Sequence, residues 1–124
     1  MKKSFLNSKI HKATVIDSQI NYEGSCEIDV ALMQAAGISV YEKIDIYNIT
    51  NGERFTTYAI EGKAESGIIC INGAACHKAS IGDKIIICTY SDLDSNEIKN
   101  HKPTIIYVDK DNNIIPKSKK IKLV

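Results

Sequence analysis

Tryptophan is absent, phenylalanine and proline occur only twice each, and no stretch approaches the ~18 consecutive apolar residues of a membrane-crossing helix. A Pro- or Gly-rich fibrous or low-complexity chain is thereby excluded. Neither sign of charge prevails: 16 Lys and Arg stand against 15 Asp and Glu, for a net charge of +1. A field strong enough to gather nucleic acid is therefore missing, although a small charged substrate remains compatible with the composition. The four cysteines, Cys26, Cys70, Cys76 and Cys88, form no CxxC pair and are too sparse for a disulfide scaffold. Reduced thiols are expected. Cys70 with Cys76-His77 matches no zinc spacing and has no evident fourth ligand, so no metal is expected. The start, MKKSFLNSKIHK, lacks the apolar core of a secretory signal, and a cytoplasmic location is the expectation.

What is present is isoleucine, 22 of 124 residues, in short runs. A β-branched side chain suits a pleated strand, so a mainly β fold follows, with strands expected over 4–17, 43–49, 54–60, 67–71, 84–90, 104–108 and 113–116. At this length one domain with one core is expected, 1–124. Asn51-Gly52, between two alternating runs, predicts a tight hairpin in which Ile44, Ile46 and Asn48 share one face. On the returning strand Arg54, Thr56 and Tyr58 share a face and Thr57 takes the other. One helix is expected between Asp29, as cap, and Gly37, as terminator, with a second short turn after Asn72-Gly73-Ala74-Ala75. The basic tail 117–124 reads as a solvated end or edge segment. Taken alone, Arg54 reads as a solvated charge, Tyr58 as a half-buried aromatic and His11 as a surface histidine on a strand.

The four blocks KIHKATV (9–15), NYEGSC (21–26), IDIYNITNGERFTTYAI (44–60) and INGAACHKASIGDKIII (71–87) change that reading. In order and spacing they resemble the pyruvoyl-dependent aspartate 1-decarboxylases, over about the first 110 residues. The resemblance implies a six-stranded double-psi β-barrel with one or two short helices, assembled as a homotetramer with active sites between neighbouring subunits. It implies a precursor that cuts itself between Gly24 and Ser25, leaving residues 1–24 and 25–124, with a pyruvoyl group made from Ser25. That ketone would form a Schiff base with L-aspartate and absorb the electrons left by CO2, a task no ordinary side chain performs. No glycine-rich cradle for pyridoxal phosphate competes for the role.

The same resemblance assigns the site residues. Thr57 would stabilise the oxyanion formed during processing and also contact substrate. Lys9 and Arg54 would hold the carboxylates, and Arg54 has the planar fork for bidentate binding. Tyr58 would be the proton donor, since a phenol keeps its proton at neutral pH. Asn72, Gly73, Ala74 and Ala75 would contact substrate, with His11 and Tyr22 lining the same pocket. Gly24, lacking Cβ, would leave its carbonyl open to attack and tolerate a strained backbone. Cys26 is expected to pack as a small hydrophobe. The product would be β-alanine for pantothenate and coenzyme A synthesis. The rival expectation is a β-barrel binding module that never matures.

Overall fold

The computed structural model describes residues 1–116, and the tail segment discussed above, 117–124, lies outside the described residues. In chain order the elements are β1 (Lys3–Thr14), β2 (Asp17–Gln19), β3 (Ser25–Asp29), α1 (Val30–Ala36), β4 (Lys43–Asn48), β5 (Arg54–Gly62) and β6 (Ile69–Asn72). A 3-10 helix (Gly73–His77), β7 (Lys84–Leu93), α2 (Ser95–Ile98), β8 (Thr104–Val108) and β9 (Ile114–Ile115) follow.

The strands hydrogen-bond in the order β2-β6-β3-β5-β4-β7-β1-β8-β9. Two residues alone, Val15 and Ile16, separate β1 near one end of that order from β2 at the other. The sheet must therefore curl until its ends meet. Hydrogen bonds seal the seam: Val15 N donates to Asp83 O at 2.9 Å and Ile16 N to Ile69 O at 2.9 Å. The class is the expected mainly β barrel, with nine paired segments among the described residues where six strands were expected. Part of the difference is short flanking segments, such as the three residues of β2 and the two of β9. The single strand expected over 4–17 breaks where the chain turns the corner from β1 to β2.

Alternate isoleucines fill the barrel. Ile10, Ile28, Ile44, Ile46, Ile69, Ile71, Ile85 and Ile87 are all fully buried, and each is worth roughly 1.5–3 kcal/mol relative to exposure. The helix between Asp29 and Gly37 forms as expected: the Asp29 carboxylate accepts from Ala31 N, Gly37 is left-handed at φ 77, and Leu32, Met33 and Ala36 are buried. The β4–β5 connection differs from the tight turn expected. Five residues, 49–53, join the strands, and of Asn51 and Gly52 only Gly52 has positive φ. The Asn48 side chain explains this, because its Oδ1 accepts from Thr50 N at 2.9 Å and so organises a wider loop. The faces stand as expected nonetheless: Thr57 pairs with Ile44, while Tyr58 pairs with Lys43 on the opposite side.

Candidate active site at the Gly24–Ser25 turn

Ser25 begins β3, where two ladders position it. On one side it pairs antiparallel with Asn72 of β6; on the other, Cys26 pairs in parallel with Ala59 of β5. The Ser25 side chain is buried, with the residue 3% exposed, and its hydroxyl is fully engaged. Oγ donates to Glu23 O at 3.3 Å and accepts from Asn72 Nδ2 at 3.0 Å. Asn72 Oδ1 in turn accepts from Cys70 Sγ at 3.2 Å. Asn72 precedes the 3-10 helix but makes no side-chain cap bond there, because its amide is committed to Ser25.

The left-handed backbone conformation is found across from Gly24 and not at it. Gly24 is not among the positive-φ residues, and a Cβ added to it would meet nothing within 4 Å. Gly73, by contrast, sits at φ 72, and a Cβ there would fall 2.8 Å from Gly24 Cα and 3.0 Å from Tyr22 O. The glycine that lets the turn approach its neighbour is Gly73. Gly73 takes this conformation at little cost, whereas Tyr41, which lines the cavity in front of Ser25, holds a left-handed φ of 68 against the preference of its side chain.

A cavity of about 370 Å³ opens in front of Ser25, lined by Tyr22, Glu23, Ser25, Tyr41, Tyr58, Ile60 and Asn72. Continuing the β3–β5 register one residue back from Cys26–Ala59 sets Ser25 beside Tyr58, and both side chains face this cavity. One step further sets Gly24 beside Thr57. The Thr57 side chain lies on the other face of β5, and its hydroxyl makes no hydrogen bond among the described residues. The Tyr41 ring flanks Tyr58 with centroids 6.3 Å apart. Ala74 and Ala75 continue from Gly73 in the 3-10 helix, where Ala74 is exposed and Ala75 packs on the core.

The expected cations lie elsewhere on the chain. Arg54 is exposed, with its guanidinium carbon 4.4 Å over the Tyr47 ring, and the Tyr47 hydroxyl meets that of Tyr90 at 2.7 Å. The Tyr47 bond, then burial, pushes the Tyr90 phenol well up. Lys9 is half-buried on β1, paired with Cys88 of β7 and Ile105 of β8. Neither cation lines the Ser25 cavity. His11 is a buried residue instead of a surface one: it is 8% exposed, packs edge-on against Tyr107, and neither ring nitrogen has a hydrogen-bond partner among the described residues. Burial first, then Lys9 and Lys12, hold its pKa below the usual histidine value.

Four residues of the site escaped the sequence reading: Glu23, Tyr41, Ile60 and Cys70. Period-two alternation would have found two of them, since Ile60 shares a face with Tyr58 and Cys70 with Asn72. Cys26 is buried as expected, and burial raises its thiol pKa far above the ordinary value. All four cysteines are free, and among the described residues no group of three His, Cys, Asp or Glu side chains is placed to hold a metal.

Comparison with known proteins agrees with this geometry. The family model described as aspartate decarboxylase matches residues 1–115, a little beyond the ~110 residues over which the motifs run. An aspartate 1-decarboxylase of Psychromonas ingrahamii is 53% identical over 121 residues, covering 98% of this chain and 96% of that protein. One from Tolumonas auensis is 52% identical over 123 residues, covering 99% and 98%, and one from Syntrophus aciditrophicus is 54% identical over 114 residues, covering 92% and 98%. With a family model spanning nearly all of the described residues and relatives matched end to end at about half identity, this chain belongs to the aspartate decarboxylase family.

Proposed function

We propose that the chain is a carboxy-lyase that converts L-aspartate to β-alanine and CO2, and that it makes its own electron sink by cutting the Gly24–Ser25 bond. The observation that carries this reading is the Ser25 hydroxyl: buried, held between an amide donor and a backbone acceptor, next to an unobstructed glycine, at the wall of a cavity that also holds a tyrosine hydroxyl. In the first step Ser25 Oγ bonds to the Gly24 carbonyl carbon, the C–N bond breaks, and the nitrogen takes the hydroxyl proton, giving an ester. Loss of the Ser25 Cα proton with rupture of the Cβ–Oγ bond then frees the Gly24 carboxylate. Water replaces the nitrogen of residue 25, which leaves as ammonia. The balance is one water consumed and one ammonia released.

The residues present fit a pyruvoyl group at position 25, because that position lies on the cavity wall beside Tyr58 and Asn72. When formed, the group supplies a ketone that binds the substrate amine and takes up the electron pair left by CO2. Tyr58 Oη holds the proton that replaces the departing carboxylate, and Asn72, whose Nδ2 donates to Ser25 Oγ before the cut, stays on the cavity wall beside residue 25. Tyr22 and Tyr41 wall the cavity, and Gly73, Ala74 and Ala75 offer backbone contacts beside it. Thr57, alongside Gly24 on the inner face, is the candidate donor to the oxyanion formed during cleavage. Lys9 and Arg54, outside this chain's cavity, fit an assembly in which a second copy brings its cations to the site. A homotetramer is the corresponding state, and the β-alanine would enter pantothenate and coenzyme A synthesis.

Intact-mass measurement tests the reading. Maturation yields a piece ending at Gly24 and a piece beginning with pyruvoyl at 25, while Ser25→Ala remains one 13.7 kDa chain without activity. Wild-type protein that stays whole and gives no product with carbonyl-trapping reagents points instead to a non-catalytic binding barrel.

A further inference from the structure

We infer that Cys70 is a positioning residue for self-cleavage, its thiol fixing the Asn72 side chain so that the amide NH2, and not the carbonyl, faces Ser25 Oγ. The inference rests on the self-cleavage reading and adds to it a residue outside the substrate cavity. Cys70 and Asn72 are two apart on β6 and so share a face, opposite Glu27 and Ser25 of β3. Cys70 and Asn72 are each 2% exposed and Ser25 3%. In this dry setting a chain of three hydrogen bonds runs in one direction, from Cys70 Sγ to Asn72 Oδ1 at 3.2 Å, Asn72 Nδ2 to Ser25 Oγ at 3.0 Å, and Ser25 Oγ to Glu23 O at 3.3 Å.

An amide side chain has two nearly isosteric ends, and its neighbours decide which points where. Turned over, Asn72 would set its NH2 against sulfur, a weak acceptor, and its carbonyl against Ser25 Oγ. The Ser25 proton would then be drawn from Glu23 O to Asn72, and the oxygen would swing with it. The thiol opposes this by donating to Oδ1, which requires that it keep its proton. Burial, the first cause, together with nearby Asp17, Glu27 and Cys76, pushes its pKa up to about 11, so it remains a donor at neutral pH. Cys70 and Asn72 exchange no atoms in the reaction. They set where Ser25 Oγ stands when it bonds to the Gly24 carbon and the amide nitrogen leaves with the hydroxyl proton.

The test is the time course of fragment appearance, followed by intact mass in purified full-length chain, for wild type and for Cys70→Ser, Cys70→Val and Cys70→Ala, with thermal unfolding of each precursor alongside. Cys70→Ser keeps a donor and is expected to cleave within about twofold of wild type, whereas Val and Ala are expected to be at least about fivefold slower. Val fills the buried site slightly more than Cys and Ala slightly less, so slowing in both with an unchanged melting temperature separates positioning from packing. Cleavage of Val and Ala at the wild-type rate, or Ser as slow as Ala, overturns the proposal. An uncut wild type overturns the self-cleavage reading and this role with it; a cut wild type with an indifferent Cys70→Val overturns the role of Cys70 alone.

Discussion

Tyr58 and His11 are the two residues whose surroundings constrain their chemistry most. Tyr58 faces the cavity with Ser25 but makes no hydrogen bond to it, so the proposed cut and the proposed proton transfer should separate at this side chain. Tyr58→Phe should therefore mature at the normal rate yet lose roughly 100-fold or more in kcat, the usual scale for a missing general acid. Parallel assays of fragment yield and of CO2 release from aspartate check both halves. For His11 the sign follows from its depressed pKa. Below pH 6.5 the unfolded chain binds a proton that the folded chain resists, so stability is full above 6.5 and falls as the pH drops through the window beneath it. A melting-temperature series from pH 7.5 to 5 should show a steeper decline for wild type than for His11→Phe. The motifs singled out Ser25, Gly24 and Tyr58 in the sequence, and the structure brings Ser25 and Tyr58 to one cavity. The burial of His11 was not legible there, because it depends on Tyr107, 96 positions further on, arriving beside it through the parallel β1–β8 pairing.

At the scale of elements, the site depends on β3 and β6 being held in register behind the turn. Asp29 secures the far end of β3: its carboxylate accepts from Ala31 N at 2.8 Å, Glu65 N at 2.9 Å and Gly67 N at 2.9 Å, joining helix, strand and loop. Asp29→Ala leaves buried amides unpaired and should cost about 2–4 kcal/mol, measurable by urea unfolding of the precursor. Gly73 secures the near end. Gly73→Ala forces a Cβ to within 2.8 Å of Gly24 Cα at a φ that side chains resist, so the Gly24–Ser25 turn, where cleavage is proposed, must move away from Asn72. Fragment yield over time should fall while Gly24→Ala, which meets open space, is affected less. The sequence revealed α1 because both its caps are spelled out, Asp29 before and Gly37 after. It hid β3, five residues whose reason to be extended is two partner strands distant in the chain. The short α2 was overlooked although Asp94 and Glu97 form a reciprocal capping box at the spacing that announces one.

At the scale of the molecule, the curled sheet was expected from the family resemblance, with which the many short isoleucine-rich strands agree because closure removes the edges they would expose. The distribution of the site over the surface was not, because a single chain's alternation says which face a residue takes and nothing about what covers that face. Arg54 and Tyr58 share a face of β5 but stand four residues apart, about 13 Å along the strand. Arg54 is stacked on Tyr47, away from the Ser25 cavity. If aspartate binds at residue 25 as proposed, the Arg54 that meets its carboxylate is expected to come from another copy. Two inactive variants decide the matter when co-assembled: Arg54→Ala keeps an intact Ser25, and Ser25→Ala keeps an intact Arg54. If each site draws the two residues from different subunits, assemblies formed from equal amounts should recover roughly a quarter of wild-type activity, since half the subunits supply each part independently. If both residues of a site came from one chain, every site would lack one of them, and the mixture would be as inactive as its components.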